Sequence, residues 1–127
     1  MIGRRYCWRS LLQAGVWCAG GSDAPVELPF PLLGMYDAMV RAARPEGGGA
    51  GERERDASKQ QPFLPEEKLP FSAALWMYTI GGAHAAGREH ELGCLRPGFL
   101  ADFVVLSRDV SADPTADALL SAHVDET

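Results

Sequence analysis

At 127 residues the chain has room for one ordinary domain and is too short for two. Hydrophobic residues at 46% and charged residues at 23% place it among globular rather than disordered proteins. A net charge of −5, and no apolar run of about 18 residues, argue against a nucleic-acid surface, an anionic membrane surface and a membrane span.

The chain opens basic, with Arg4, Arg5 and Arg9 ahead of the first acid, Asp23. Followed by "SLLQAGVWCAGG", that start has the composition of a signal or transit peptide. Arg9 and Gln13 interrupt the apolar stretch, and it divides into a helix-like half and a strand-like half, so a cytoplasmic chain is the expectation. Cys7, Cys18 and Cys94 are odd in number and form no CxxC pair. They read as buried, reduced thiols rather than a disulfide framework or a zinc knuckle.

"RRYCWRSLLQAG" predicts a helix ending at Gly15, because Trp8, Leu11 and Leu12 share one face and glycine takes the left-handed C-terminal conformation. "VWCA" follows as a short strand buried on both faces. After "GGSDAP" the prolines at 25, 29 and 31 hold an extended loop. A second helix starts with Pro31 in its first turn and carries an apolar face of Leu32, Tyr36, Met39, Val40 and Ala43.

The segment 45–61 is rich in glycine and alternating charge. It reads as a solvated insertion, with a lid beside a site as the sharper alternative. From Ser72, a good N-cap, "AALWMYTIGGAHAAG" is apolar almost all round, and Gly81-Gly82 is expected to break it into two short helices. "ELGCLRPGFLADFVVLS" predicts a hairpin of 92–95 against 101–106, joined by a type II turn at Pro97-Gly98. In the tail, "DPTADALLSA" predicts a short helix capped by Asp113. The single buried strand has no parallel partner within the chain, so its neighbours are expected from elsewhere.

Four stretches, "WRSLLQAGVWCAGGSDAPV", "LLGMYDAMVRA", "YTIGGAHAAGREHELGCLRPGFLADFVVL" and "HVDET", resemble in that order the C-terminal portion of the metal-dependent amidohydrolase superfamily. The branch resembled is that of N-substituted formamide deformylase-like proteins. The resemblance implies an α/β fold: the end of a (β/α)8 barrel over 1–90, and part of the flanking small β-domain over 91–127. It also implies a hydrolase of carbon–nitrogen bonds other than peptide bonds, acting on a small amide or formamide-like substrate with one or two divalent metals, usually zinc.

Asp23 in "GSDAP" matches the family's metal ligand after the eighth strand. A carboxylate there touches the metal and passes a proton to the leaving nitrogen. From the residues alone the same five letters are simply a turn.

The family's HxH pair has no counterpart here, and the histidines are His84, His90 and His123. His84 reads as a packed core residue, His90 as exposed, and His123 as the start of a final strand that is expected to be cut short. A catalytic zinc needs about three protein ligands, so Asp23 alone is not a centre. The chain is therefore expected to be part of a longer parent enzyme and inactive by itself, its partner the missing N-terminal barrel portion or a complementary chain. The alternative is a non-catalytic fragment or interaction module with exposed strand edges.

Overall fold

A computed structural model describes residues 5–42 and 61–127. The core lies where three helices meet: α2 (Pro31–Val40), α3 (Phe71–Tyr78) and α5 (Ala116–Leu120). Met35, Tyr36 and Ala38 of α2, Ala74 and Met77 of α3, and Leu119 of α5 are buried together with Leu69 and Val110. Leu119 is only 1% exposed, and burying such a side chain is worth roughly 1.5–3 kcal/mol.

The first helix, α1 (Trp8–Gln13), ends as its glycine foretold. Gly15 takes φ +79°, its N–H donates to the Leu12 carbonyl, and the Val16 N–H donates back to Leu11, both at 3.0 Å. This pair of bonds is the Schellman arrangement, which absorbs the last free carbonyls of the helix. At the other end no local side chain caps α1. Glu67, distant in sequence, does that work: it accepts from the Ser10 backbone N–H at 2.9 Å and also from the Ser10 hydroxyl. These bonds hold the Glu67 carboxyl below its ordinary range, the hydroxyl contributing most.

Helix α2 has Pro31 in its first turn, where the missing N–H costs nothing. Of its expected apolar face only Tyr36 is fully buried; Leu32, Met39 and Val40 are half-buried, and Met35 and Ala38 are buried instead, where α3 and α5 pack against the helix. Ala43, and the insertion 45–61 apart from Gln61, lie outside the described residues. The helix closes at Arg41, φ +57°, whose Nε donates to the Phe63 carbonyl at 2.7 Å. The guanidinium lies over the Trp8 ring at 4.9 Å, a cation–π contact that joins α1 to the end of α2.

Two short helices follow as expected, but the break is at Thr79, ahead of the glycines, which fall inside α4 (Ile80–Ala85). Thr79 at φ −122°, ψ −88° leaves the helical region, and its hydroxyl donates to the Leu75 carbonyl at 2.8 Å. Ser72 does not cap α3; Pro70 holds that position, and its carbonyl receives the first helical N–H groups. Helix α4 ends on a second Schellman pair, Gly87 (φ +68°) to His84 and Arg88 to Ala83, each at 2.9 Å.

The strands depart most from expectation. No described residue pairs with 16–19, so "VWCA" is not a strand, and Trp17 is 53% exposed. A strand exists only beside a hydrogen-bonding neighbour, and the described residues offer none there.

The Pro97-Gly98 turn does form: Gly98 has φ +91° and the Phe99 N–H reaches the Arg96 carbonyl at 3.1 Å. Residues 92–95 nevertheless do not form a strand, because Leu92 bonds back to Arg88 and Gly93, at φ +95°, turns the chain against Ile80 of α4. Instead β1 (Val105–Leu106) pairs antiparallel with β2 (Val124–Glu126), giving a small two-stranded sheet. Thr115, not Asp113, caps α5, its hydroxyl accepting from Ala118 at 3.2 Å, while Asp113 faces Arg108 at 3.6 Å. The described chain is thus a small α/β arrangement. No helix among the described residues is long and apolar enough to cross a membrane.

Candidate functional site

Asp23 sits at the tip of a tight turn. The Val26 N–H donates to the Asp23 carbonyl at 2.9 Å, and the Glu27 N–H donates to the Ser22 carbonyl at 3.2 Å. Asp23 has φ +52°, a conformation that aspartate tolerates better than most residues, and the Ala24–Pro25 peptide is cis. A cis proline as third residue of a four-residue turn is the type VI geometry. The Asp23 side chain is exposed. The turn expected from "GSDAP" is present, and it presents the carboxylate outward.

Its base is fixed from behind by the end of α3 and the start of α4. The Gly20 N–H donates to the Met77 carbonyl at 3.0 Å. One edge of the Tyr78 ring lies so close to Gly20 that a Cβ there would come within 2.6 Å of Cδ2 and 2.7 Å of Cζ. The same edge passes Gly34 of α2, where a Cβ would fall on the tyrosine oxygen and 2.7 Å from Cζ. Gly81 lies against the Cys18 carbonyl, its would-be Cβ 3.3 Å from the carbonyl carbon. Gly20 and Gly81 therefore let segment 18–20 lie close on α3 and α4, and Gly34 lets α2 lie close on the Tyr78 ring.

The histidines do not gather around Asp23. His84 is not a core residue: its side chain is 43% exposed, and it stacks on Trp17 with centroids 4.1 Å apart. Its Nδ1 stands 3.6 Å from the Glu89 carboxylate, and exposed His90 approaches the same oxygen at 3.9 Å. His123 is exposed at the entrance to β2 and faces Asp125 at 3.2 Å. Cys7, Cys18 and Cys94 are reduced thiols outside any disulfide, half-buried rather than buried.

Among the described residues no three metal-binding side chains come together. One exposed carboxylate does not fit a metal centre, which takes three or four ligands.

A groove of about 470 Å³ opens on the side of α3 between Leu12, Gly15, Val16, Trp17, Ala73 and Trp76. Val16 and Trp17 form its exposed apolar rim, and Trp17 and Trp76 meet at 5.1 Å. Sequence reading placed Val16 and Trp17 in a buried strand and so missed that they face outward. It missed Tyr78 as well; the signal lay in Gly20 and Gly34, whose shared neighbour is visible only after folding.

The amidohydrolase family profile matches residues 4–127, nearly the whole chain. The chain belongs to the amidohydrolase family. It is 38% identical over 116 residues to the amidohydrolase-family protein YtcJ of Bacillus subtilis (strain 168), covering 91% of this chain and 20% of that protein. It is 37% identical over 119 residues to the protein LONG AFTER FAR-RED 3 of Arabidopsis thaliana, covering 87% of this chain and 18% of that one. With the N-substituted formamide deformylase of Arthrobacter pascens it shares 38% identity over 101 residues, 80% of this chain and 16% of the enzyme. The chain thus spans about a fifth of the length of these curated relatives. No solved structure matches it.

Proposed function

We propose that this amidohydrolase-family chain supplies the Asp23 turn to a hydrolase of carbon–nitrogen bonds other than peptide bonds, with an amide or formamide-like small molecule as substrate. The observation that carries the reading is the outward carboxylate of Asp23 on a turn whose base is fixed by Gly20, Tyr78 and Met77. Family membership and the similarity to N-substituted formamide deformylase support the bond class. Asp23 is the proposed acid–base residue: a carboxylate so placed accepts a proton and returns it to the leaving nitrogen.

Amidohydrolases generally use divalent metals, and zinc is the metal proposed here. Asp23 is this chain's one ligand for it, and the remaining ligands belong to a partner that carries the rest of the family's sequence. In the assembled enzyme, residues 1–90 are proposed as the end of a (β/α)8 barrel and 91–127 as part of a flanking β-domain. The exposed apolar side chains of Val16, Trp17, Phe103 and Val104 favour such a partner. They equally favour a second reading in which the chain is a non-catalytic module that docks through these residues alone.

The test has two arms. The 127-residue protein is expected to hold no stoichiometric zinc by elemental analysis and to release no formate from an N-substituted formamide. Tight zinc together with turnover would overturn the division of the site between this chain and a partner. Asp23→Asn is expected to leave the fold of this chain unchanged, and the same change in a full-length family enzyme carrying this segment is expected to abolish hydrolysis. Normal activity in that variant would overturn the role of Asp23.

A further inference from the structure

Tyr78 belongs to α3 by sequence, yet its ring serves the loop and the helix on either side of it. The edge from Cδ2 to the hydroxyl oxygen runs past Gly20 and then Gly34, at distances that leave no room for a side chain at either position. Gly20 lies three residues before Asp23, and Gly34 lies inside α2, which begins just after the turn. The ring is therefore wedged between the two arms that lead into and out of the turn. Its neighbour Met77 contributes a backbone bond to that entering arm, Gly20 N–H to Met77 carbonyl at 3.0 Å.

We propose that Tyr78 is the positioning residue of the Asp23 turn, setting how far the turn stands from α2 and how it is aimed. The inference rests on the proposed role of Asp23 only for its catalytic consequence; the mechanical part stands on the two glycine contacts. An aromatic ring suits the task because it is rigid beyond χ2, so the spacing it imposes is a length rather than a range. The absence of a Cβ at both glycines brings each backbone against that ring. A wrongly aimed carboxylate costs rate steeply, since a misplacement of about 1 Å can lower turnover on the order of a hundredfold.

The test uses amide hydrogen exchange and chemical shifts in the 127-residue protein. The Val26 and Glu27 amides report on the turn, because each donates one of its two closing bonds. Tyr78→Ala is expected to speed exchange at these two amides by about tenfold more than at the amides of α5, which report on the core as a whole. Gly34→Ala is expected to shift both signals by pushing on the tyrosine oxygen and Cζ, and adding Tyr78→Leu, which removes both atoms, is expected to cancel that shift relative to Tyr78→Leu alone.

If Tyr78→Ala left turn exchange unchanged, or raised it only in step with α5, Tyr78 would be an ordinary packing residue. Should that variant fail to fold, the Gly34→Ala shift and its rescue decide the matter, and a shift without rescue would overturn the wedge. Asp23→Asn in a full-length enzyme tests the other reading separately. A responsive turn with a dispensable Asp23 would remove only the catalytic role.

Discussion

Gly81 and Gly82 are adjacent in α4, and substituting alanine at each should change stability in opposite directions. In helical backbone, alanine is favoured over glycine by about 1 kcal/mol. At Gly82 the nearest atom to an added Cβ is the Met77 carbonyl oxygen at 4.0 Å, so nothing opposes that gain. At Gly81 the same methyl would stand 3.2 Å from Trp76 Cζ3 and 3.3 Å from the Cys18 carbonyl carbon, and nearer still to its oxygen. A backbone carbonyl cannot rotate away as a side-chain tip can, and overpacking of this kind costs about 1–3 kcal/mol.

The balance is a stabilisation of about 1 kcal/mol for Gly82→Ala and a loss of about 0–2 kcal/mol for Gly81→Ala. Urea unfolding followed by far-ultraviolet circular dichroism measures both, with midpoints about 1 M apart for an m-value of roughly 2 kcal/mol/M. The Gly20 amide resonance should also move in Gly81→Ala, because the methyl lifts the segment that bonds to Met77. Equal stabilisation by both substitutions would refute the packing of residues 18–20 on α4.

Two further outcomes follow from the core and from Glu67. Leu119→Ala should cost about 2–5 kcal/mol, since it empties the contact between α5 and α2; in a domain of about 5–15 kcal/mol this is a large share, and a urea midpoint near wild type would show that α5 is not part of the core. The Glu67 carboxyl lies below its ordinary value of 4.5 when folded, held there first by the Ser10 hydroxyl. The unfolded chain therefore takes up its proton first on acidification. The stability that the group contributes is present above 4.5 and is lost as the pH falls through the lower, folded value. Ser10→Ala should flatten that acid dependence, and an unchanged pH profile would contradict the bond.

Local signals in the sequence were reliable where the physics is local. Gly15 ends α1 and Pro31 starts α2 because a left-handed cap and a fixed φ are properties of single residues. "GSDAP" makes its turn for the same reason, and Pro97-Gly98 makes the turn predicted for it. The caps at Ser72 and Asp113 failed narrowly, each displaced two residues by a competitor that the helix geometry favoured.

Strands are another matter. "VWCA" and 92–95 have the composition of strands, but pairing needs a second segment at hydrogen-bonding distance, and composition does not report one. His84 looked like a core residue because its neighbours are apolar, yet helix phase turns it outward onto Trp17.

The sequence by itself determined the family, the turn carrying Asp23 and the helices on either side of it, since motif order and single-residue conformational preferences survive without knowledge of the fold. Only the tertiary structure decided that β1 pairs with β2, that Glu67 caps α1 from a distance, and that Tyr78 is wedged between Gly20 and Gly34. Each of these joins residues far apart in the chain, and such contacts are fixed by the packing of whole elements rather than by any local preference.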